Sequence, residues 1–288
     1  MRIPPARAAI ILAFAASTAC LAQEALNTES ATQPAPDTLY VKPQFRYWRF
    51  GVGAIPSSPS APGAGTQGVS RAEPSTTLQL GLVKDVSFSL KVPMVIEERT
   101  FPATRDLSFA LGRVDAQFKL RVFRSDTSSL DTIRAVVYAG ALMPSGDDNV
   151  APQSVDPYAG FSAMIIRGRF GLTQSIRYTV TTSGGGWEYK NLGGDGPADA
   201  LKYDTALMFR VSPSEFTAEN SGSAWYTSLE LNGLYETNGD NEILLSPGLL
   251  YEAQRFAAEF SIGLPVVQDV RHRPPLEFQF SAGLRFVF

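Results

Sequence analysis

Few residues of this chain have the type and spacing for chemistry. Its one histidine, His272, sits between Arg271 and Arg273. To act as a general base it needs a serine in hydrogen-bond reach and a third group to orient it, and no serine neighbours it in the sequence. Gly193-Gly194-Asp195-Gly196 has the composition of one calcium-binding repeat, but it occurs once and the spacing after it fails. Ser183-Gly184-Gly185-Gly186 lacks the Lys-Ser/Thr of a phosphate-binding loop. No catalytic constellation, metal site or cofactor site is expected. What remains is charge at a fixed spacing. Arg113, Asp115, Gln117, Lys119 and Arg121 alternate without a slip with Val114, Ala116, Phe118, Leu120 and Val122.

A period of two is that of a strand, whose side chains point alternately to opposite faces. The same pattern recurs along the chain. Lys202, Asp204, Ala206 and Arg210 oppose Leu201, Tyr203, Leu207, Phe209 and Val211, and Glu230 opposes Leu229 and Leu231. Charges of both signs at mid-strand fit a wet interior better than a dry core. The residues expected to line that interior are Lys91, Arg113, Asp115, Lys119, Arg121, Arg177, Lys202, Asp204, Arg210, Glu230, Glu259, Glu277 and Arg285. They conduct if the lumen is open, and pair across it if it is blocked.

Strands to position them are expected at residues 39–52, 76–83, 86–92, 113–123, 133–143, 158–166, 170–181, 201–211, 225–235, 243–251, 256–264 and 276–288. Twelve is an even number, as a closed antiparallel transmembrane β-barrel with both termini on one side requires. Residues 54–74, 97–106, 144–156 and 183–198 read as long loops, and Lys84-Asp85 and Arg167-Gly168-Arg169 as tight turns. Pro247 marks a bulge or a weakly paired position. Phe123, Phe209, Trp225, Phe286 and Phe288 gather near the periplasmic strand ends, as an interfacial girdle does.

The amino end limits the compartment. Arg2 and Arg7, the apolar run 8–16 and the small residues before Ala22 make residues 1–22 a secretory signal peptide cleaved after Ala22. The rival is lipidation of Cys20, the one cysteine, but Ser17 stands where lipoprotein signals usually carry leucine. Residues 23–38, with Pro34 and Pro36, read as a short periplasmic leader too small to fold as a plug domain, and residues 39–288 as the barrel. The mature chain is two units more negative than the −3 of the whole sequence and has no nucleic-acid footprint.

The closing stretch sets Leu276, Phe278, Phe280, Ala282, Leu284, Phe286 and Phe288 against Glu277, Gln279, Ser281, Gly283 and Arg285. Its aromatic ending, Phe286 and Phe288, resembles the assembly signal of outer-membrane β-barrels, which implies the barrel-insertion machinery and outer-membrane lipid as partners. Leu245-Ser246-Pro247-Gly248-Leu249-Leu250-Tyr251, the run from Glu259 to Pro265, the ending Gly283-Leu284-Arg285-Phe286-Val287-Phe288 and Ala141-Leu142-Met143-Pro144-Ser145-Gly146-Asp147 look like the MetA-pathway of phenol degradation family. That resemblance implies an outer-membrane barrel passing small, hydrophobic or aromatic molecules, without defining the solute. The alternatives are a non-conducting structural barrel and a hydrolase in the barrel wall. A fatty-acid channel is disfavoured because the leader cannot form that family's internal hatch.

Overall fold

The computed structural model describes residues 24–51, 68–100, 105–128, 131–146, 153–182, 198–216, 222–271 and 273–288. They form strands β1 (Leu39–Phe50), β2 (Gly68–Val83), β3 (Val86–Thr100), β4 (Arg105–Leu111), β5 (Asp115–Ser128), β6 (Asp131–Leu142), β7 (Asp156–Arg167), β8 (Phe170–Thr179), β9 (Ala200–Ser212), β10 (Ser223–Glu236), β11 (Asn241–Ala253), β12 (Phe256–Asp269) and β13 (Leu276–Val287). Neighbours pair antiparallel, and β1 pairs with both β2 and β13, so the sheet closes. In a bilayer every backbone group must be paired within the protein, and closure removes the free edges.

Thirteen strands make twelve staves. β3 pairs with β5 over Val86–Lys91 and with β4 over Met94–Thr100, so β4 and β5 form one stave interrupted at residues 112–114. Ser145 bridges the interruption: its Oγ accepts from the Val114 N–H at 2.7 Å and donates to the Gly112 carbonyl at 3.2 Å.

Alternation decides the faces. Phe118 is 57% exposed on the outside and its neighbour Lys119 is 5% exposed inside. Leu78, Leu80, Leu120, Phe161, Leu207, Leu229, Leu231, Phe260 and Leu264 extend this apolar exterior around the barrel. A belt of that kind is what acyl chains require. Gln174, polar on the outer face, donates to outward Thr205 at 2.8 Å, so the two satisfy each other. At the end carrying the short turns, Phe170 stacks on Phe209 at 4.9 Å and Trp225 on Tyr251 at 4.8 Å. Short turns are periplasmic in such barrels and long loops extracellular.

Three sequence expectations change. The loop 54–74 ends earlier, because β2 begins at Gly68; Pro74 is tolerated opposite Phe45 and has no β3 partner in the register. The loop 97–106 is largely strand, since β3 runs to Thr100 and β4 resumes at Arg105. Glu277 faces outward beside Arg49, 3.6 Å away, rather than into the lumen. The register between β1 and β13 slips at Arg49/Phe50, and this bulge turns Leu276 inward and Glu277 out. The expected discontinuity at Pro247 is present as a gap in the β11–β12 register at Ser246 and Pro247.

Candidate functional site in the barrel lumen

The leader does not hang below the barrel. Residues 24–34 enter the lumen, reach its middle and return to β1, the opposite of the expected periplasmic placement. The physical reason is hydrogen-bond capacity: a polar, aperiodic segment can satisfy the polar inner wall, and its shortness does not matter when the barrel supplies the other partners. At the middle of the excursion, the Asn27 N–H and Thr28 Oγ1 donate to the Glu230 carboxylate at 3.1 and 2.7 Å. The Asn27 amide oxygen accepts from Gln279 and Ser281, each at 3.1 Å. Lys119 pairs with Glu29 and donates to the Ser30 carbonyl at 2.8 Å. Ser162 Oγ donates to the Glu29 carbonyl at 2.6 Å.

At the periplasmic end, Glu24 accepts from Arg285 at 2.7 Å and from Lys42 at 3.1 Å. Burial pushes the Glu24 carboxyl up, but the charges of Arg285, Lys42 and Lys119 outweigh it and hold it at about 2. Ala31 packs into an inward apolar cluster of Val136, Tyr138, Tyr158, Met164 and Ile166. These residues explain why β6 alternates less cleanly than its neighbours: its inner face greets the leader, not water. Tyr138 lies over Gly160 and Tyr158 over Gly140, so a Cβ at either glycine would collide with a tyrosine ring.

Above the leader the lumen opens. A cavity of about 350 Å³ is bounded below by leader residues Glu24 to Ser30. Eight basic and six acidic side chains line it, so it is net positive although the chain carries −3. A second cavity of about 400 Å³ lies toward the extracellular loops and shares Asn27, Arg46, Arg71, Glu73 and Lys202 with the first. Trp48, Phe50, Val69, Leu234, Leu244 and Leu276 give it an apolar wall. The Trp48 Nε1–H donates to Gln279 at 2.9 Å, which fixes the indole.

The expected lining residues fall into three groups. Lys91, Arg113, Asp115, Lys119, Arg177, Lys202, Asp204 and Glu259 line the lower cavity. Arg121, Arg210, Glu230 and Arg285 are turned inward but spent on structure: Arg121 meets Asp85 at 3.2 Å, Arg210 covers the Phe216 ring at 4.2 Å, Glu230 caps the leader, and Arg285 bridges Glu24 and Glu259. Glu277 is outside. Sequence reasoning missed Arg46, Arg71, Glu73 and Glu97. Arg46 follows Lys42 and Gln44 at period two and was legible in β1; the other three lie in segments that read as loops.

His272, residues 1–22 expected as a signal peptide, Cys20, Ser183-Gly184-Gly185-Gly186 and Gly193-Gly194-Asp195-Gly196 lie outside the described residues. Among the described residues no group of three His, Cys, Asp or Glu could hold a metal ion.

No protein-family profile matches this chain, and no curated protein matches it. Among solved structures, an outer membrane channel from Pseudomonas putida F1 superposes with a TM-score of 0.54 over 92% of this chain and 100% of its own, at 11% identity. The β-domain of the Bordetella autotransporter BrkA gives 0.48, with 88% and 100% covered at 11% identity. The NanC porin gives 0.45, with 86% and 98% covered at 11% identity. At such identity the first likeness concerns fold alone, and the fold is that of an outer-membrane β-barrel.

Proposed function

We propose that this protein is an outer-membrane channel for small hydrophobic or aromatic molecules, with residues 24–36 as a plug in the periplasmic half of its lumen. The observation that carries the reading is the pair of adjoining cavities, which run from the loop end to the leader and share five lining residues. The apolar wall around Trp48 gives such a solute a surface to slide along, and the charged middle keeps the path wet. The resemblance of residues 141–147, 245–251, 259–265 and 283–288 to the MetA-pathway of phenol degradation family supports the same solute class. Residues 1–22 act as the export signal, and Phe286 and Phe288 as the signal read by the insertion machinery.

One observation favours a second reading. The leader is tied to Lys42, Lys119, Ser162, Glu230, Ser281 and Arg285 of the wall, as a permanent strut of a non-conducting barrel would be. Planar-bilayer recording separates the two. The intact barrel is expected to pass little current and the barrel lacking residues 24–36 severalfold more. Absence of current from both, with the heat-modifiable band of a folded barrel retained, would leave the structural reading.

A further inference from the structure

The four carboxylates that line the upper cavity are all ion-paired. Glu73 meets Lys91 at 2.7 Å and Arg71 at 3.7 Å, and Glu97 meets Arg99 at 2.5 Å and Arg71 at 3.6 Å. Glu236 and Glu242 both meet Arg273, at 2.9 and 3.5 Å. Two charges on the same cavity are left over. Arg46 on β1 and Lys202 on β9 make no ion pair and no side-chain hydrogen bond among the described residues, and both sit at the junction of the two cavities. Arg177, lining the lower cavity just beyond, forms no ion pair among the described residues either and lies over the Tyr158 ring at 4.9 Å. Arg177 and Lys202 are cross-strand partners on β8 and β9, and Lys202 feels Asp204 most strongly and then the like charges of Arg177 and, from β1, Arg46.

Like charges gathered in a confined lumen repel, and a barrel has no structural need to gather them. The nearest acids offset them only through space, most strongly Asp204 toward Lys202, and form no ion pair with them. Asp204 accepts from Asn232 at 3.1 Å and Asp115 from Tyr158 at 2.5 Å, so each is held by a neutral donor rather than by these cations. Directly above stands the apolar wall of Trp48, Phe50, Val69, Leu234, Leu244 and Leu276. A ligand that satisfies both surfaces carries a negative head and an apolar body.

We infer that the junction is a binding site for small organic carboxylates, with the carboxylate between Arg46 and Lys202 and the apolar body against the Trp48 wall. This rests on reading the lumen as the solute path and narrows the solute from hydrophobic to amphipathic and anionic. The arginine fork suits the two oxygens of a carboxylate, and the lysine adds a second point of charge. Arg177 lies next along the lumen and offers the anion its following step, so that the site is a station rather than a sink.

The test is calorimetric titration of the full-length mature barrel in detergent with four probes that dissect the claim: benzoate, benzyl alcohol, benzylammonium and acetate. Benzoate should bind, and each of the other three should bind about tenfold more weakly or worse, as expected for loss of charge-assisted hydrogen bonds or of the apolar contact. Arg46→Gln and Lys202→Gln should each weaken benzoate by about tenfold and leave benzyl alcohol unchanged. Arg46→Lys should recover part of the loss. Benzyl alcohol binding as tightly as benzoate would overturn the site, as would full benzoate affinity in both glutamine variants with the folded band intact. Should a variant fail to fold, the four probes on the parent still decide. Bilayer current is read separately. Benzoate binding in a barrel that never conducts keeps the site and removes the channel; current with no discrimination among the probes keeps the channel and removes the site.

Discussion

The two halves of the lumen carry charge in different ways. In the periplasmic half, Glu24 is held by Arg285 and Lys42, Glu29 by Lys119, and Glu230 by the Asn27 N–H and Thr28. In the extracellular half, Arg46 and Lys202 face open space beneath an apolar wall. A filled lumen settles its charges internally, and a lumen left open keeps some for a visitor. Inward charge therefore has two meanings in one barrel, and only the partner list tells them apart.

The largest blow to the lower half should come from Arg285→Ala. It leaves Glu24 and Glu259 facing each other without their shared cation, and Arg285 is 1% exposed. Removing one member of a buried ion pair costs about 3–5 kcal/mol, and lumen water places this loss at the low end. Urea unfolding in lipid vesicles measures it. A loss near zero would mean that the leader network is not formed.

Phe118→Arg comes next and tests the wall between lumen and lipid. Arginine on the lipid face costs about 2–4 kcal/mol near the midplane. Lys119→Met, one residue on, keeps the wall but removes the partner of Glu29, so it should cost less in unfolding while loosening the leader. A reversed order in the same assay would mean that the faces are exchanged.

Acid should loosen the leader through Glu24. The folded Glu24 carboxyl is lowered to about 2 from its ordinary 4.5, so its contribution is complete above 4.5 and is lost as pH falls toward 2. Conductance of the intact barrel should rise across that window, whereas the barrel lacking residues 24–36 should show no such step. A step of equal size in both would assign the titration to the wall.

The smallest stability change is expected in the upper half. Lys202→Glu breaks no ion pair and its side chain borders the open cavity, so it should cost less than the changes above. Its effect should appear in permeation instead. In the barrel lacking residues 24–36, reversal potentials should shift toward cations. An unchanged potential would take Lys202 off the path.

How much of this was legible depends on what each inner face meets. Asp115 to Arg121 and Lys202 to Arg210 face a polar lumen, so their alternation was plain in the sequence. Val136, Tyr138 and Met164 face Ala31 of the leader, and an apolar inner residue beside an apolar outer one erases the pattern. The leader itself gave no signal, because a polar segment without periodicity reads the same in water and in a polar lumen. Glu277 failed for another reason: a one-residue bulge exchanges the two faces, and nothing in the composition around Leu276 announces it. Arg71 and Glu73 were hidden by Pro74, which punctuates loops far more often than strands. The exterior was the easiest part, since lipid tolerates few exceptions.

Residues 24–34 fill the lower lumen while the upper lumen stays open, and one labelling experiment reads both. Cys20 is the only native thiol of the sequence and lies in the proposed export signal, so in a barrel that starts at Gln23 a single introduced cysteine reports alone. Ser281, 1% exposed beneath Asn27, and Trp48 in the upper cavity are changed to cysteine one at a time, each in the intact barrel and in the barrel lacking residues 24–36. The rate of modification by a water-soluble methanethiosulfonate is measured in folded protein. The cysteine at 48 should react readily in both, whereas the cysteine at 281 should be protected in the intact barrel and react once the leader is gone. Equal reactivity at 281 with and without the leader would contradict this placement of the leader.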